Sequence, residues 1–482
     1  MSQAVSSDIT LSIISHTNIG KTTLVRTLLR RDVGKVLDQA HVTDQNEKFT
    51  WLKTHDGARL NIWDTPGFGN SVQLLKLLQR QEHPIGWMVA HVWDRFKDRP
   101  LWCSQQALKN VRDEADVVLY LVNAVENPSL ASGYMKPEME LLDWLQKPVL
   151  VVLNQVGSEN GMQEREACER DWHDSLKAYA VVQGVVSLDS FSRCWVLEGM
   201  LLEHVRSLLP AGAQETMGRL TESWKSQNTA VFKKSMDRLA QVFVRAMCDG
   251  KVVSETGQLR KVKIKHAAQE LCQRLEDDIR VAMRDLIEWH GLEGEAAIKI
   301  QSQLHDFTVP IESSVMEEAL GRAALGGFGG AAAGTAAGAA IDAATGGMSL
   351  GLFALTGAFL GALGLAAWGK DVEIGEILTI RWVPEFLHAL TQDLLLRYMA
   401  VAHFGRGRGH FQTDQESPII WQEAIRKVYE GEQAALQQMW ESDRECESHD
   451  LNERTRNIAM LFESVTRTVL CELYPASKDI HV

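Results

Sequence analysis

The chain has 482 residues, a formal net charge of −13 and seven scattered cysteines. This length exceeds one ordinary hydrophobic core, so we expect two or more domains. The negative charge disfavours broad binding to nucleic acid, and the unpatterned cysteines indicate reduced thiols and no zinc site. The first residues lack a basic segment followed by an apolar core, so we expect a cytoplasmic protein without an export signal.

The first motif is a phosphate-binding loop at residues 15–23, which reads Ser-His-Thr-Asn-Ile-Gly-Lys-Thr-Thr. An apolar run precedes it and a helical pattern over residues 21–31 follows it, as in a P-loop. In that context Lys21 contacts the β- and γ-phosphates and the Thr22 hydroxyl ligates Mg²⁺. The first position of the motif, which is usually Gly, is Ser15, and a serine adopts a positive φ less readily than a glycine. The residues expected to bind phosphate are Asn18, Ile19, Gly20, Lys21, Thr22 and Thr23.

A second motif follows two strands predicted at residues 48–53 and 59–63, which flank a hairpin turn. The second strand ends in Asp64-Thr-Pro-Gly67, where the carboxylate orients Mg²⁺ and the glycine N–H senses a γ-phosphate. Thr43 lies between the two motifs and is expected to join the metal when a γ-phosphate is present. The predicted metal ligands are Thr22, Thr43 and Asp64.

Three more strands are predicted at residues 115–125, 148–153 and 181–186, and the first two are continuously apolar, as buried parallel strands are. Strands that alternate with helices predict a doubly wound α/β domain with its ligand at the carboxyl ends of the strands. Asn154 and Gln155 follow the second of these strands, and Ser187 and Leu188 follow the third.

These motifs resemble those of the Era-type bacterial GTPases, whose P-loop reads Gly-x-Pro-Asn-Val-Gly-Lys-Ser. The resemblance covers residues 8–210 and includes the loop, Thr43 and the motif at residues 64–67. It implies GTP and GDP as ligands, Mg²⁺ as cofactor, slow hydrolysis, and switching through Thr43 and Gly67. It also implies that the guanine motif begins with Asn154 and Gln155, and that Ser187 and Leu188 contact the base.

Two departures from related enzymes affect this expectation. The guanine motif Asn-Lys-x-Asp reads Asn-Gln-Val-Gly at residues 154–157, and loss of the carboxylate costs roughly 2–3 kcal/mol of base discrimination. GTP stays the expected nucleotide, with ATP left open. Phe68 follows Gly67, where Ras-type enzymes place a water-orienting Gln. The resemblance then offers Asn18 as a ligand for a stimulating K⁺, whereas the plainer alternative has Asn18 brace the loop. The expected catalytic residues are Lys21, Thr43 and Asn18.

The 47 residues between Gly67 and Ala115 are rich in large apolar side chains. They predict an elaborated switch II helix whose position follows the nucleotide. The same apolar residues are equally compatible with packing of this segment onto the C-terminal domain.

From about residue 212 the strand pattern ends, which predicts a GTPase domain at 1–211 and a mainly α-helical domain at 212–482. Amphipathic helices are predicted at residues 215–249, 262–290, 293–305, 384–403, 418–446 and 451–473. Basic residues between 251 and 266 indicate either a solvated face or contact with anionic lipid headgroups.

Residues 323–369 predict a glycine-zipper hairpin. Glycines recur every fourth residue from Gly326 to Gly338, which lets helix backbones touch, and residues 343–369 carry no charge. The second arm is long enough to span a bilayer, so we expect a hairpin at the cytoplasmic face of the inner membrane, peripheral or integral. A hairpin buried in a soluble core is the alternative, because the first arm is weakly hydrophobic and Asp342 lies near the tip.

Two hypotheses of function follow. In the first, a slow GTPase switch controls the helical domain and its lipid or membrane-protein partner. In the second, the chain is a nucleotide-binding scaffold with negligible turnover, because of Phe68 and the altered guanine motif. Ribosome or RNA binding is disfavoured by the negative charge. A nucleotide-dependent homodimer is left open.

Overall fold

The computed structural model describes residues 8–31, 33, 46–90, 97–155, 162–188, 195–254, 257–292, 365–369, 378–382, 384–404, 419–441 and 451–475. These residues fall into two compact units. The first unit contains the described residues up to Thr229, together with residues 403–404 and 474–475. The second contains those from Ala230 to Ala402 and those from 419 to 473.

The first unit is built on a six-stranded sheet with the order β2-β3-β1-β4-β5-β6. β2 is antiparallel to β3, and every other neighbouring pair is parallel. β4 and β5 are buried on both faces, which explains why their sequences do not alternate. The strands are β1 (Asp8–Ser15), β2 (Glu47–Lys53), β3 (Arg59–Asp64), β4 (Val117–Asn123), β5 (Val149–Asn154) and β6 (Val182–Ser187).

Helices connect these strands and cover the sheet, which confirms the predicted α/β class. Local signals fix several helix starts: Asn70 and Asn127 cap helices through their side chains, and Pro128 occupies the first turn after Asn127. The helices are α1 (Lys21–Leu29), α2 (Ser71–Leu78), α3 (Pro84–Ala90), α4 (Arg99–Glu114), α5 (Pro128–Asp143), α6 (Met162–Leu176) and α7 (Trp195–Leu208).

The long segment after Gly67 forms α2, α3 and α4 rather than one extended helix. Its apolar residues, including Leu74, Met88, Leu101 and Leu108, are buried in one cluster with residues of β4 and β5. The segment therefore packs on the sheet of its own unit. Its predicted response to nucleotide stays a prediction.

Helix α8 (Ala211–Cys248) starts where the predicted domain boundary falls, and its first half belongs to the first unit. There Arg219 forms an ion pair with Asp56 in the β2–β3 turn. Arg30, which caps the end of α1, donates to the side chain of Asn228. These two contacts hold the start of α8 on the GTPase fold.

The second unit is mainly helical, as predicted, but it also contains a three-stranded antiparallel sheet with the order β7-β9-β8. The prediction that strands end near residue 212 is therefore wrong. The remaining elements are β7 (Gly250–Val253), α9 (Gly257–Trp289), β8 (Leu365–Gly369), β9 (Leu378–Trp382), α10 (Pro384–Ala402), α11 (Ile419–Glu441) and α12 (Leu451–Leu473).

Strand β8 corrects the end of the predicted hairpin, because its five residues were expected to be helical. They pair with β9 from Leu365 opposite Trp382 to Gly369 opposite Leu378. Pairing with β9, which contains Thr379, Ile380 and Trp382, outweighs the helical preference of the leucine and alanines in this run. Residues 323–364, and the predicted helix at 293–305, lie outside the described residues.

The core of the helical unit is formed by aromatic and aliphatic residues. Phe243 and Phe462 pack edge to face with ring centroids 5.9 Å apart. In α12 the buried Ile458, Phe462, Val465 and Val469 recur at helical spacing, and the helix spans the predicted residues 451–473.

The part of the chain that the structure describes contains no helix long and apolar enough to cross a bilayer. Within that same part, no cluster of His, Cys, Asp or Glu could hold a metal ion by itself. Cys248 is disulfide-bonded, so the expected fully reduced set is wrong at this position. Among the described residues, four cysteines are not in a disulfide: Cys103, Cys168, Cys272 and Cys471.

Candidate functional site

The phosphate loop connects β1 to α1. Gly20 caps α1 with φ 99° and ψ 26°, a left-handed conformation that favours glycine. Asn18 also has a positive φ, of 65°, whereas Ser15 is not among the described residues with positive φ. Serine is therefore accommodated at the first position as the last residue of β1. The loop presents backbone N–H groups at a helix N-terminus, which is an anion-binding arrangement.

Lys21 is buried at the start of α1, and its Nζ donates to Ser15 Oγ at 3.0 Å. Burial lowers the pKa of this amine, while the nearby carboxylates of Asp64 and Glu138 oppose the shift. Within the described part of the chain this amine donates to a hydroxyl and forms no ion pair, so it is placed to bind an anionic ligand.

Gly67 brings the second motif against the loop. A Cβ added at Gly67 would lie 3.0 Å from Lys21 Nζ, 3.1 Å from Thr17 Cα and 3.3 Å from His16 O. Only glycine leaves this contact free of strain. The two sequence motifs therefore meet at one place in the fold, where Thr22 contacts Asp64, 42 residues further along the chain.

Thr22 and Asp64 are the predicted metal ligands that the structure describes. Thr22 Oγ1 donates to Asp64 Oδ2 at 2.6 Å, and Asp64 is 1% exposed. Burial raises the pKa of Asp64 to about 6, against the effects of the Thr22 hydrogen bond and of Lys21. Among the described residues Asp64 Oδ1 has no hydrogen-bond partner. One hydroxyl and one carboxylate with an unused buried oxygen fit the oxygen-ligand preference of Mg²⁺. Thr43 lies outside the described residues.

Phe68 completes the contact between the motifs and enters the core. Its N–H donates to Ser15 O at 2.9 Å, and the residue forms a parallel bridge with His16. The ring is fully buried among the sheet residues. An apolar ring in this position cannot orient a water molecule.

The base end of the site is arranged differently. Asn154 is fully buried at the end of β5, and its Nδ2 donates to Ile19 O at 2.8 Å, which braces the phosphate loop. Gln155 follows with φ 60°. The rest of the altered guanine motif, residues 156–157, lies outside the described residues.

Ser187 and Leu188 end β6 beside this position. The Ser187 N–H donates to Glu169 Oε1 at 2.9 Å, and the Leu188 N–H donates to Leu153 O at 2.9 Å. Ser187 Oγ is buried and, within the described part of the chain, lacks a hydrogen-bond partner. A base contact by this pair stays a prediction. It requires either that the Ser187 hydroxyl binds the base or that one of the two N–H groups leaves its present acceptor.

A buried carboxylate next to the loop escaped the sequence analysis. Glu138 of α5 is 0% exposed; its Oε1 lies 2.8 Å from His16 Nδ1 and accepts from Ser71 Oγ at 3.2 Å. Its Oε2 accepts from Tyr120 Oη at 2.6 Å. The sequence does carry a signal, because Glu138 lies on the same helical face as the buried Ala131 and Met135.

Comparison with known families assigns both parts of the chain. Residues 179–462, more than half of the chain, match the family described as a domain of unknown function (DUF3482). The chain belongs to this family. Residues 10–155 match the family described as 50S ribosome-binding GTPase. The N-terminal domain of this DUF3482 protein is therefore a P-loop GTPase domain.

Solved structures show weaker similarities. Era with MgGDPNP and nucleotides 1506–1542 of 16S ribosomal RNA is 19% identical, with a TM-score of 0.29 over 42% of this chain. An Aquifex aeolicus Era variant bound to GDP·AlF4⁻ is 20% identical, with the same TM-score and coverage. A dimerization-deficient mutant of Toc33 from Arabidopsis thaliana is 16% identical, with a TM-score of 0.26 over 39% of this chain and 73% of Toc33.

This chain spans 57% of the length of the two Era chains. TM-scores this low carry no conclusion about the present chain, so the assignment depends on the family matches. Comparison with curated protein sequences finds no match.

Proposed function

We propose that this protein is a Mg²⁺-dependent GTP switch that hydrolyses GTP slowly. The observation that supports this most is the meeting of the two motifs, where the Gly67 Cβ position is 3.0 Å from Lys21 Nζ. A γ-phosphate bound by Lys21 lies next to the backbone of Gly67, so its presence or absence changes what switch II contacts.

Thr22 and Asp64 are the residues that would hold Mg²⁺, with Thr43 as a further ligand in the triphosphate state. Bound there, the ion neutralises charge on the phosphate oxygens. Lys21 binds the phosphates from the other side, and its burial strengthens that interaction because water is excluded.

Potassium stimulation is part of this proposal. Phe68 is buried and supplies no polar group for the attacking water. Asn18 has its side chain exposed at the turn of the loop, and Asn154 already braces the loop through Ile19 O. This arrangement supports a cation role for Asn18 over a bracing role. Turnover measured in K⁺ and in Na⁺ at equal ionic strength tests it, and equal rates contradict it.

A scaffold with negligible turnover is the second candidate, and the buried Phe68 is the observation that favours it. Both candidates require nucleotide binding, so a turnover assay separates them. The GTPase predicts phosphate release that disappears in Lys21→Ala. The scaffold predicts binding of GTP with no release above that of the variant.

We propose that the helical domain acts at an anionic membrane surface on the cytoplasmic face of the inner membrane, either on lipid or on a membrane protein. Three aliphatic side chains that are each about two-thirds exposed support this: Val252 on β7, and Leu259 and Val262 on α9. Lys263, next to Val262 on α9, is also exposed, whereas Lys251 on β7 forms an ion pair with Glu270. Exposed apolar groups next to basic ones fit a lipid interface.

Co-sedimentation of the full chain with anionic and neutral vesicles tests the membrane proposal. The double substitution Leu259→Ser and Val262→Ser is expected to reduce binding to anionic vesicles. Met460→Ser is the matched control, because Met460 is also exposed but lies on α12. Equal binding by all three proteins contradicts a role for this surface.

A nucleotide-dependent homodimer is a separate proposal, which light scattering with each nucleotide tests.

A further inference from the structure

Glu138 connects three elements of the GTPase domain through one carboxylate. His16 belongs to the phosphate loop, Tyr120 to β4, and Ser71 is the first residue of α2, just after the switch II motif. All three contacts lie within 2.6–3.2 Å of a carboxylate oxygen. The carboxylate therefore fixes the distance between the loop and the start of α2.

His16 makes contacts through both its backbone and its side chain. Its backbone forms the bridge with Phe68, and its ring stacks on Tyr134 with centroids 4.4 Å apart. Its Nδ1 faces Glu138. The same residue thus contacts switch II through its backbone and contacts α5 through its side chain.

A fully buried carboxylate adds little net stability to a core, because removing its charge from water costs free energy. Burial raises the pKa of Glu138, and its hydrogen bonds to His16, Tyr120 and Ser71 only oppose that shift. Apolar residues of similar volume commonly pack at such positions without loss of stability. We therefore interpret the Glu138 carboxylate as a group that fixes the geometry of its three partners rather than one that stabilises the fold.

We propose, on the basis of the proposed GTP switch, that Glu138 is a positioning residue for the triphosphate-bound state. A γ-phosphate must contact Lys21 and Gly67 together, which requires the loop and switch II to be ordered relative to each other. Because Glu138 orders them in advance, less ordering entropy is lost when the triphosphate binds. A diphosphate contacts the loop alone and gains little from this arrangement.

Titration of the full chain with GDP and with a non-hydrolysable GTP analogue, both with Mg²⁺, tests this inference. Glu138→Gln keeps the volume but cannot accept all three hydrogen bonds, so we expect the analogue to bind about tenfold more weakly and GDP within about twofold of wild type. Ser71→Ala removes only the α2 contact and is expected to weaken the analogue about threefold.

Glu140→Gln is the matched control, because Glu140 lies on the same helix with an exposed side chain. Its ratio of analogue to GDP affinity is expected to equal that of wild type. Circular dichroism and the unfolding temperature show whether Glu138→Gln is folded. Ser71→Ala retains the His16 and Tyr120 contacts, so it decides the question if Glu138→Gln is unfolded.

Wild-type affinity ratios in both Ser71→Ala and Glu138→Gln overturn the inference. Equal losses for the two nucleotides also overturn it, since they show a purely structural role. The proposed GTP switch fails in a different way, because then the wild-type chain itself binds neither nucleotide.

Discussion

The phosphate end and the base end of the nucleotide site differ in how they are built. At the phosphate end, Lys21, Thr22 and Asp64 are buried within one connected set of contacts that closes on Gly67. At the base end, Asn154 is directed to the loop, and the N–H groups of Ser187 and Leu188 are bonded within the protein. Among the described residues, the phosphate end is therefore preformed, whereas the polar groups of the base end are largely used within the protein.

The difference follows from where the residues lie along the chain. Phosphate contacts come from one loop, its helix N-terminus and one strand end, which β1 and β3 place side by side through parallel pairing. The predicted base contacts come from the ends of β5 and β6. Substitutions at the phosphate end are thus expected to have larger effects than those at the base end.

The largest effect is expected for Lys21→Ala. Removing the buried ammonium leaves the phosphates without their main positive partner, so binding of GDP and of a GTP analogue is expected to weaken by about 4 kcal/mol, roughly a thousandfold. Lys76→Ala is the control, because Lys76 lies on α2 with an exposed side chain. Calorimetric titration measures both. Wild-type affinity in Lys21→Ala contradicts the assigned phosphate site.

The next effect concerns Asp64 and has a defined pH dependence. Its pKa of about 6 lies above the unfolded value of 3.8, so the carboxylate costs stability as pH rises through this interval. Asp64→Asn is therefore expected to stabilise the nucleotide-free protein at pH 7 by up to about 3 kcal/mol, with no gain below pH 4.

Thermal unfolding across pH 4–7.5 without Mg²⁺ measures this gain. The same variant is expected to lose the Mg²⁺ dependence of nucleotide binding. A variant that is less stable at pH 7 and still responds to Mg²⁺ contradicts the description of Asp64 as a buried carboxylate with an oxygen available for the ion.

Gly67→Ala is expected to act selectively on the triphosphate. The new Cβ lies 3.0 Å from Lys21 Nζ and forces the amine or the loop to move. Binding of the GTP analogue is expected to weaken by about 2 kcal/mol, with a smaller change for GDP. Gly133→Ala is the control, because no described atom lies within 4 Å of the added carbon. Equal losses for both nucleotides contradict the γ-phosphate role of Gly67.

The smallest effect is expected at the base end. Asn154→Ala removes the hydrogen bond to Ile19 O, so GDP and the GTP analogue are both expected to bind about 1 kcal/mol more weakly. An equal change for guanine and adenine nucleotides indicates that Asn154 acts on the loop alone. A loss confined to guanine nucleotides shows that Asn154 also reads the base.

The sequence was sufficient for the parts of the fold that short motifs and strong periodicity determine. The P-loop, Asp64 to Gly67, the buried strands β4 and β5, and helix α12 all lie where the patterns predict. Each of these depends on local signals, such as a glycine at a helix start or a continuous apolar run.

The remaining features depend on partners distant in sequence. Strand β8 was missed because its pairing with β9 overrides local preference. Glu138 was missed because its role becomes visible only when β1, β4 and α2 meet around α5. The sequence shows Phe68 at the position where Ras-type enzymes have Gln, but it does not show that this ring is buried in the core.

The most direct test of the GTP switch is calorimetric titration of the full chain with GDP and with a non-hydrolysable GTP analogue, each with Mg²⁺ and with a chelator. We predict that both nucleotides bind, that Mg²⁺ strengthens the analogue more than GDP, and that Lys21→Ala abolishes both signals. A full-length, folded chain that binds neither nucleotide with Mg²⁺ present contradicts the proposed function.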